Sequence, residues 1–338
     1  MLLLLISFAT LMYSNQKGPT PMLTGTSTQT FTTLADSPIS ITGNLQLNAT
    51  ASSGNGTVGN PYIIRDKYIN ACGLATNGIL IQDTTAYFIL LNCTVLQADA
   101  SYSGIRLDNV TNAQLENNTS NENSYCGIDL VSCNQTKLIN NTANHNYYGI
   151  RLSVSSCYNT LTGNTASNNA PLDGIALEFC DHNRLIGNIV MNNHRAGILI
   201  SSHSNNTLSS NIANDNFYGI YLGYTHNNTV TGNIANNNTA DGFHLEHIYN
   251  NTLAGNIANG NSHGMDLEHS NSNTLLGNTA SGNTVGIYLE RSNATRVLGN
   301  ILYGNIQGRT EVDCTGNIFQ GNLGERTPKE IPGFNWAF

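Results

Sequence analysis

Apolar and polar residues repeat along this chain with a long beat. A glycine followed by two apolar residues flanking a variable one appears as Gly78-Ile79-Leu80-Ile81, Gly104-Ile105-Arg106-Leu107, Gly127-Ile128-Asp129-Leu130 and Gly149-Ile150-Arg151-Leu152. It continues at Gly174, Gly197, Gly219, Gly242, Gly264 and Gly286, in steps of 26, 23, 22, 25, 23, 22, 23, 22 and 22 residues. Alternate apolar residues in this stretch predict a strand with one buried face. A later Leu or Val (Leu185, Leu208, Val230, Leu253, Leu275, Val297) predicts a second short strand, and segments such as Asn233 to Asn236 predict a third. No 3.6-residue stripe supports paired helices.

So short a unit cannot bury a core alone. It can do so by stacking, with each strand pairing in parallel with its copy one period on, about 4.8 Å away. The expected fold is all-β, a single right-handed parallel β-helix of about 22 residues per coil, its hand set by the rule for parallel crossovers. Leucine-rich repeats fit poorly, because the Leu-x-x-Leu-x-Leu spacing is absent. The coil is expected over residues 31–322, after an apolar leader or cap with a linker at 1–30 and before a terminal cap or contact segment at 323–338.

Stacking gives the asparagines a role. One column runs Asn118, Asn141, Asn164, Asn188, Asn211, Asn233, Asn256, Asn278, Asn300 and Asn317. A second lies five residues on, at Asn123, Asn146, Asn169, Asn193, Asn216, Asn238, Asn261, Asn283, Asn305 and Asn322. An amide carries two donors and an acceptor, so stacked asparagines are expected to bond to one another and to turn backbone as internal ladders.

Composition narrows the function. The net charge of −8 with no basic run leaves no footprint for nucleic acid, and 10% charged residues is too few for acidic disorder. Met1 to Tyr13 is the most apolar run, too short for a spanning helix and similar to the apolar part of a secretory signal. Thirteen Asn-x-Ser/Thr sites, among them Asn48, Asn92, Asn134, Asn205, Asn227, Asn250 and Asn293, suit an exported, glycosylated chain. Seven cysteines are present. Cys72 and Cys93 lie one period apart, and Cys133, Cys157 and Cys180 fall near one turn position; each set is read either as disulfides between coils or as buried thiols.

The stretch from Ser37 to Gly73, followed by Gly78 to Val95 and by later units of the type Gly219 to Asn238, resembles the NosD-like right-handed β-helix repeat family, whose repeats are described as carbohydrate-binding and sugar-hydrolysing. The resemblance covers roughly Pro38 to Asn322. It implies the fold directly. For function it spans copper-site accessory proteins, polysaccharide epimerases and lyases, and prokaryotic, notably archaeal, surface proteins.

Candidate chemistry sits on the outward columns of the Gly-Ile-x-Leu strands. The variable position reads Tyr221, His244, Asp266 and Tyr288 in successive coils; two residues on, the column reads Glu246, Glu268 and Glu290. His244, Asp266 and a tyrosine are candidates for acid and base on a sugar, and the glutamates for a hard cation such as calcium or for a glycan. The bland alternative is a solvated strand face. A negative groove repels a polyuronate unless a metal intervenes, and the Asp-Pro-His motif expected of the epimerases is absent. For copper, His247 and His269 occupy matching positions near His244, whereas His182, His203 and His226 drift in register. Uniform coils with almost no insertion favour a non-catalytic extracellular scaffold, self-associating through the solenoid ends into a layer, sheath or filament. The alternatives are a polysaccharide-binding or -modifying protein (a lyase or epimerase if an enzyme) using the Tyr221–Tyr288 face, and a copper accessory protein. No cofactor is expected beyond calcium, and no membrane span in the mature chain.

Overall fold

The computed structural model describes residues 34–202 and 204–325. The apolar leader, the final cap segment from 326 on and His203 lie outside them. The chain winds as a right-handed parallel β-solenoid of about 11 turns, about 23 residues each. Two twelve-stranded parallel sheets run its length, and a third of three strands runs beside its first coils. The pairing is copy on copy. In the first sheet Ile220 faces Phe243, which faces Met265 and then Ile287; Leu222, Leu245, Leu267 and Leu289 stack the same way. In the second, Leu208, Val230, Leu253, Leu275 and Val297 form one column. All these side chains are fully buried.

The third strand of each coil is shorter than expected. Tyr68–Asn70, Thr94–Leu96 and Thr119–Asn121 pair as strands, but later coils keep a single bridging residue, as in Ile212 to Ile234 to Ile257. Left-handed residues on either side, such as Gly232 and Asn237, bend the chain away before a second residue pairs. Just inside that bridge the core narrows to the buried Ala213, Ala235 and Ala258. This explains the glycine that opens every first strand. A Cβ on Gly219 would lie 2.5 Å from the Gly242 carbonyl oxygen, 2.7 Å from the Ala235 Cβ and 2.7 Å from the Asn238 Nδ2.

The ladders are present. In the first, each Asn Nδ2 donates to the Oδ1 of the next coil's asparagine, with Asn211 to Asn233 at 2.9 Å and Asn233 to Asn256 at 3.0 Å. The same amide also donates back to a carbonyl, for Asn233 that of Leu208 at 3.0 Å. Asn193, Asn216, Asn238, Asn261 and Asn283 repeat the pattern in the second column. One assignment is corrected. Asn300 hands on to Asn322, not to Asn317, and Asn317 accepts instead from Thr295 N–H. It thereby continues a third ladder through Asn159, Asn183, Asn206, Asn228, Asn251 and Asn273. That ladder hid within the Asn-Asn-Thr sites, whose second asparagine belongs to it.

The first coil is closed by the helix Gly43–Thr50, which drives Leu47 into the core. This segment had been read as part of the β-coil. The disulfide reading is also corrected, since all seven cysteines are free thiols. Register explains it. Tyr68 pairs with Thr94, which places Cys93 beside Lys67 and leaves Cys72 several positions along. Ser156, not Cys157, meets Cys133, while Cys157 accepts through sulfur from the Asp181 N–H. Cys93, Cys133 and Cys180 are buried and donate to Leu91, Val131 and Glu178 carbonyls.

Candidate functional site

The expected outward columns form in register. Tyr221 pairs with His244, His244 with Asp266 and Asp266 with Tyr288. Glu246, Glu268 and Glu290 align beside them. They point out from the coil core yet are not all solvated: His244 is 7% exposed and Asp266 3%.

Two residues missed in the sequence reading complete the cluster. Asp241 and His263 each precede the glycine of their strand and pair with each other. Asp241 accepts from both imidazoles, at 2.9 Å from His244 Nδ1 and 2.8 Å from His263 Nδ1. The Oδ2 of Asp266 lies 3.6 Å from His244 Nδ1 and 3.5 Å from His263 Nδ1. The other Asp266 oxygen is buried without a hydrogen-bond partner. Tyr218, also just before a glycine, stacks on His244 at 4.6 Å; Tyr221 stacks on it at 5.0 Å, and Tyr288 on His263 at 5.1 Å. The signal in the sequence was the residue ahead of each glycine: Cys126, Tyr148, Asp173, Ala196, Tyr218, Asp241, His263, Val285.

Charge follows from these contacts. Burial opposes a charged His244, but Asp241 and Asp266 outweigh it and hold its pKa up at about 9. Hydrogen bonds to the same two carboxylates raise His263 to about 10. Asp241 is buried, yet its two imidazole donors keep its pKa below the usual carboxylate value. Burial, then the charge of Asp266, raises Glu268. Tyr221 donates to Glu246, and Tyr288 donates to Glu290 at 3.2 Å. The Glu268 carboxylate stands between them with no side-chain hydrogen bond among the described residues.

The same face carries different chemistry three to six coils before Asp241 and His244. Arg106 bridges Asp108 and Asp129, both at 2.8 Å. Arg151 holds Glu178 at 2.8 Å, donates to the Tyr125 hydroxyl and approaches Asp129 at 3.8 Å. Burial raises Asp129, and it pushes Asp173 up to about 6. Two surface depressions, of about 220 and 290 Å³, lie away from both networks; the larger is lined by Asp181, Ser204, Asn205, Tyr224 and His226 among others. Neither depression is lined by the His–Asp cluster.

Four other described histidines stack in turns. His247 lies between Tyr224 and His269 at 4.8 Å from each, His182 on Tyr158, and His226 on Tyr249. Of the sequon asparagines, Asn92, Asn205, Asn227 and Asn250 are exposed at left-handed turn positions, Asn48 is exposed on the helix, and Asn134 and Asn293 are half-buried with their amide oxygens accepting turn N–H groups. A left-handed turn itself favours Asn.

An outward-facing ionisable cluster on a parallel β-helix defines the class, a solenoid with a surface site. Comparison narrows it. Residues 170–323 match the model of a family described as periplasmic copper-binding protein (NosD), and residues 47–212 match the model of the right-handed β-helix region. The chain folds as a right-handed β-helix, and over residues 170–323 it is similar to the NosD family. Among solved structures, the A-module of the Azotobacter vinelandii mannuronan C-5 epimerase AlgE6 superposes with a TM-score of 0.64 at 16% identity, over 84% of this chain and 90% of that one. The AlgE4 A-module of the same organism gives 0.60 at 15%, over 79% and 87%. The periplasmic alginate epimerase AlgG gives 0.55 at 14%, over 85% and 84%. At these identities the likeness is one of fold. No curated protein matches the chain in sequence.

Proposed function

We propose that this is an exported polysaccharide-binding protein that lays an extended glycan along the outer face of the first sheet, across the coils of Tyr221, His244, Asp266 and Tyr288. One observation carries the reading. Two imidazoles, two buried carboxylates and three tyrosines converge on a solenoid face where a plain scaffold has no use for them, and burying charge there lowers stability. Glu246, Glu268 and Glu290 recur at coil spacing and offer acceptors to sugar hydroxyls. Their negative field favours a neutral, hydroxyl-rich polymer over a polyuronate. The structural neighbours named as alginate and mannuronan epimerases support a polysaccharide as the ligand but not its charge, since their polymers are uronates, and the names periplasmic NosD and periplasmic AlgG support export.

Binding fits the geometry better than catalysis. A general base needs a free lone pair on the substrate side, and the carboxylates of Asp241 and Asp266 favour the protonated form of both rings, in which Nε2 has none. Affinity electrophoresis against neutral and acidic polysaccharides tests the reading. Retardation by at least one neutral polymer is expected, weakened about tenfold by Tyr288→Ala or Glu268→Gln. Mobility unchanged by every polymer would remove the proposal. A scaffold that self-assembles through its ends is the second reading, favoured by the near-constant coil length. Ordered layers or filaments of purified protein in electron micrographs, with no glycan retardation, would put it first.

A further inference from the structure

The Asp241–His244–His263–Asp266 cluster does not behave like the ion-pair networks elsewhere on this face. In the Arg106–Asp129–Arg151 network, long side chains reach out and each cation meets a carboxylate at 2.8 Å. Here short side chains from two adjacent coils gather their polar atoms: three of them form one close group, and a fourth, His263, adjoins it. Donor atoms of Asp241, His244 and Asp266 lie within 4.8 Å of one another, all three residues buried. His263 reaches the same two carboxylates from the other side. The imidazole Nδ1 atoms lie 2.9 and 2.8 Å from the two different oxygens of Asp241 and 3.6 and 3.5 Å from the one Oδ2 of Asp266, so a small shift of either ring brings nitrogen and oxygen to the roughly 3.3 Å spacing of neighbouring ligands on a tetrahedral ion.

A second observation points to a missing partner. Asp266 is 3% exposed, yet one carboxylate oxygen has no hydrogen bond and the other has only the two long approaches to imidazole. A carboxylate so buried normally finds strong donors or a cation. Its surroundings are the two rings, the stacked Tyr218, Tyr221 and Tyr288, and the neighbouring Glu268, none of which donates to the bare oxygen. The rings are fixed from outside, His244 between Tyr218 and Tyr221 and His263 against Tyr288. Their Nδ1 atoms are therefore held in place ahead of any ligand.

We propose that Asp241, His244, His263 and Asp266 bind one divalent transition-metal ion of borderline softness, zinc or copper(II). Imidazole with carboxylate suits these ions. The set has no thiolate or thioether for copper(I), and too few oxygens for calcium, which takes six to eight. His263, with 27% of its side chain exposed, gives the ion its way in. This site is neither the stacked His247–His269 pair nor the glutamate column.

The test titrates zinc, copper(II) and calcium separately into metal-stripped full-length protein by calorimetry, without saccharide, so its outcome is independent of glycan binding. Zinc and copper(II) are expected to bind one to one, competing with each other, and calcium at least 100-fold more weakly. His263→Gln and Asp266→Asn should each weaken binding about 100-fold, while His247→Gln leaves it unchanged. Circular dichroism checks that the variants fold. If they do not, the copper(II) electron paramagnetic resonance spectrum of the unaltered protein decides, because two coupled imidazole nitrogens are expected. Absence of one-to-one binding, a calcium preference, loss of binding in His247→Gln, or a copper spectrum without two nitrogens overturns the proposal.

Discussion

Asn211, Asn233 and Asn256 on the inside and Tyr221, His244 and Asp266 on the outside are two stacks built by the same coils. Each places one side chain directly over the next. Inside, every member is the same residue, and each amide finds its acceptor in its own copy, at 2.9 to 3.0 Å. Outside, every member differs, and the stack leaves an Asp266 oxygen unpaired. A uniform column closes its own hydrogen bonds; a varied one leaves atoms over. On a periodic scaffold, variation within a column is what separates a site from a wall.

That contrast can be broken most forcefully from within. Asn233→Leu strands the Leu208 carbonyl and the donors of Asn211. It should cost about 3–5 kcal/mol in urea denaturation, summing unmet buried bonds at about 1–3 kcal/mol each. The exposed Asn237 sits at φ 56°, so the matched control is Asn237→Gly, expected within about 0.5 kcal/mol of the parent. Equal losses would dissolve the distinction between ladder and surface. On the outer face, Arg106→Met with Arg151→Met deprives the fully buried Asp129 of its cations and should cost about 3 kcal/mol, largely recovered by adding Asp129→Asn. No recovery would mean that the arginines act by packing alone.

A smaller loss, about 2 kcal/mol, is expected for Gly219→Ala, because the next coil's backbone stands where the methyl group would go. An unchanged melting temperature would show that the coils can move apart. The smallest effect is set by pH. Asp173 has a folded pKa of about 6 against an ordinary 3.8, so its proton stabilises the fold at low pH and that stabilisation is lost as pH rises through 6. Asp173→Asn should therefore match the parent near pH 4 and exceed it by about 1–2 kcal/mol above pH 7, even with the 3.6 Å contact to Arg195 given up. The reverse pH order would contradict burial as the cause.

Much of this molecule was legible in its repeats, for a physical reason. In a coil, sequence period and spatial register are the same quantity, so columns counted along the chain are columns in space. Tyr221, His244, Asp266 and Tyr288 therefore fell together as counted. What failed was whatever breaks the count. The step stays at 22 residues after Asn300, but Thr295 interrupts the third asparagine column, so its next member, Asn317, was counted into the neighbouring ladder. Cys133 and Cys157 are one position out of step, enough to keep two sulfurs apart. Asp241 and His263 were missed because simple alternation gives the outward place to the glycine after them. That glycine is instead buried against the next coil, and the residue before it brings its side chain to the outer cluster.

The amide ladders also make the chain's length negotiable. If Asn141 through Gly163 were excised, Asn164 would arrive where Asn141 had been and accept from Asn118 in its stead, leaving no member of the column without a partner. Whole coils can be gained or lost in this way, by duplication or deletion, at little cost to the fold. The His–Asp cluster tolerates no such editing at one seam, because it draws on two consecutive coils, and an extra one inserted between Asp241 and His263 would pull its halves apart.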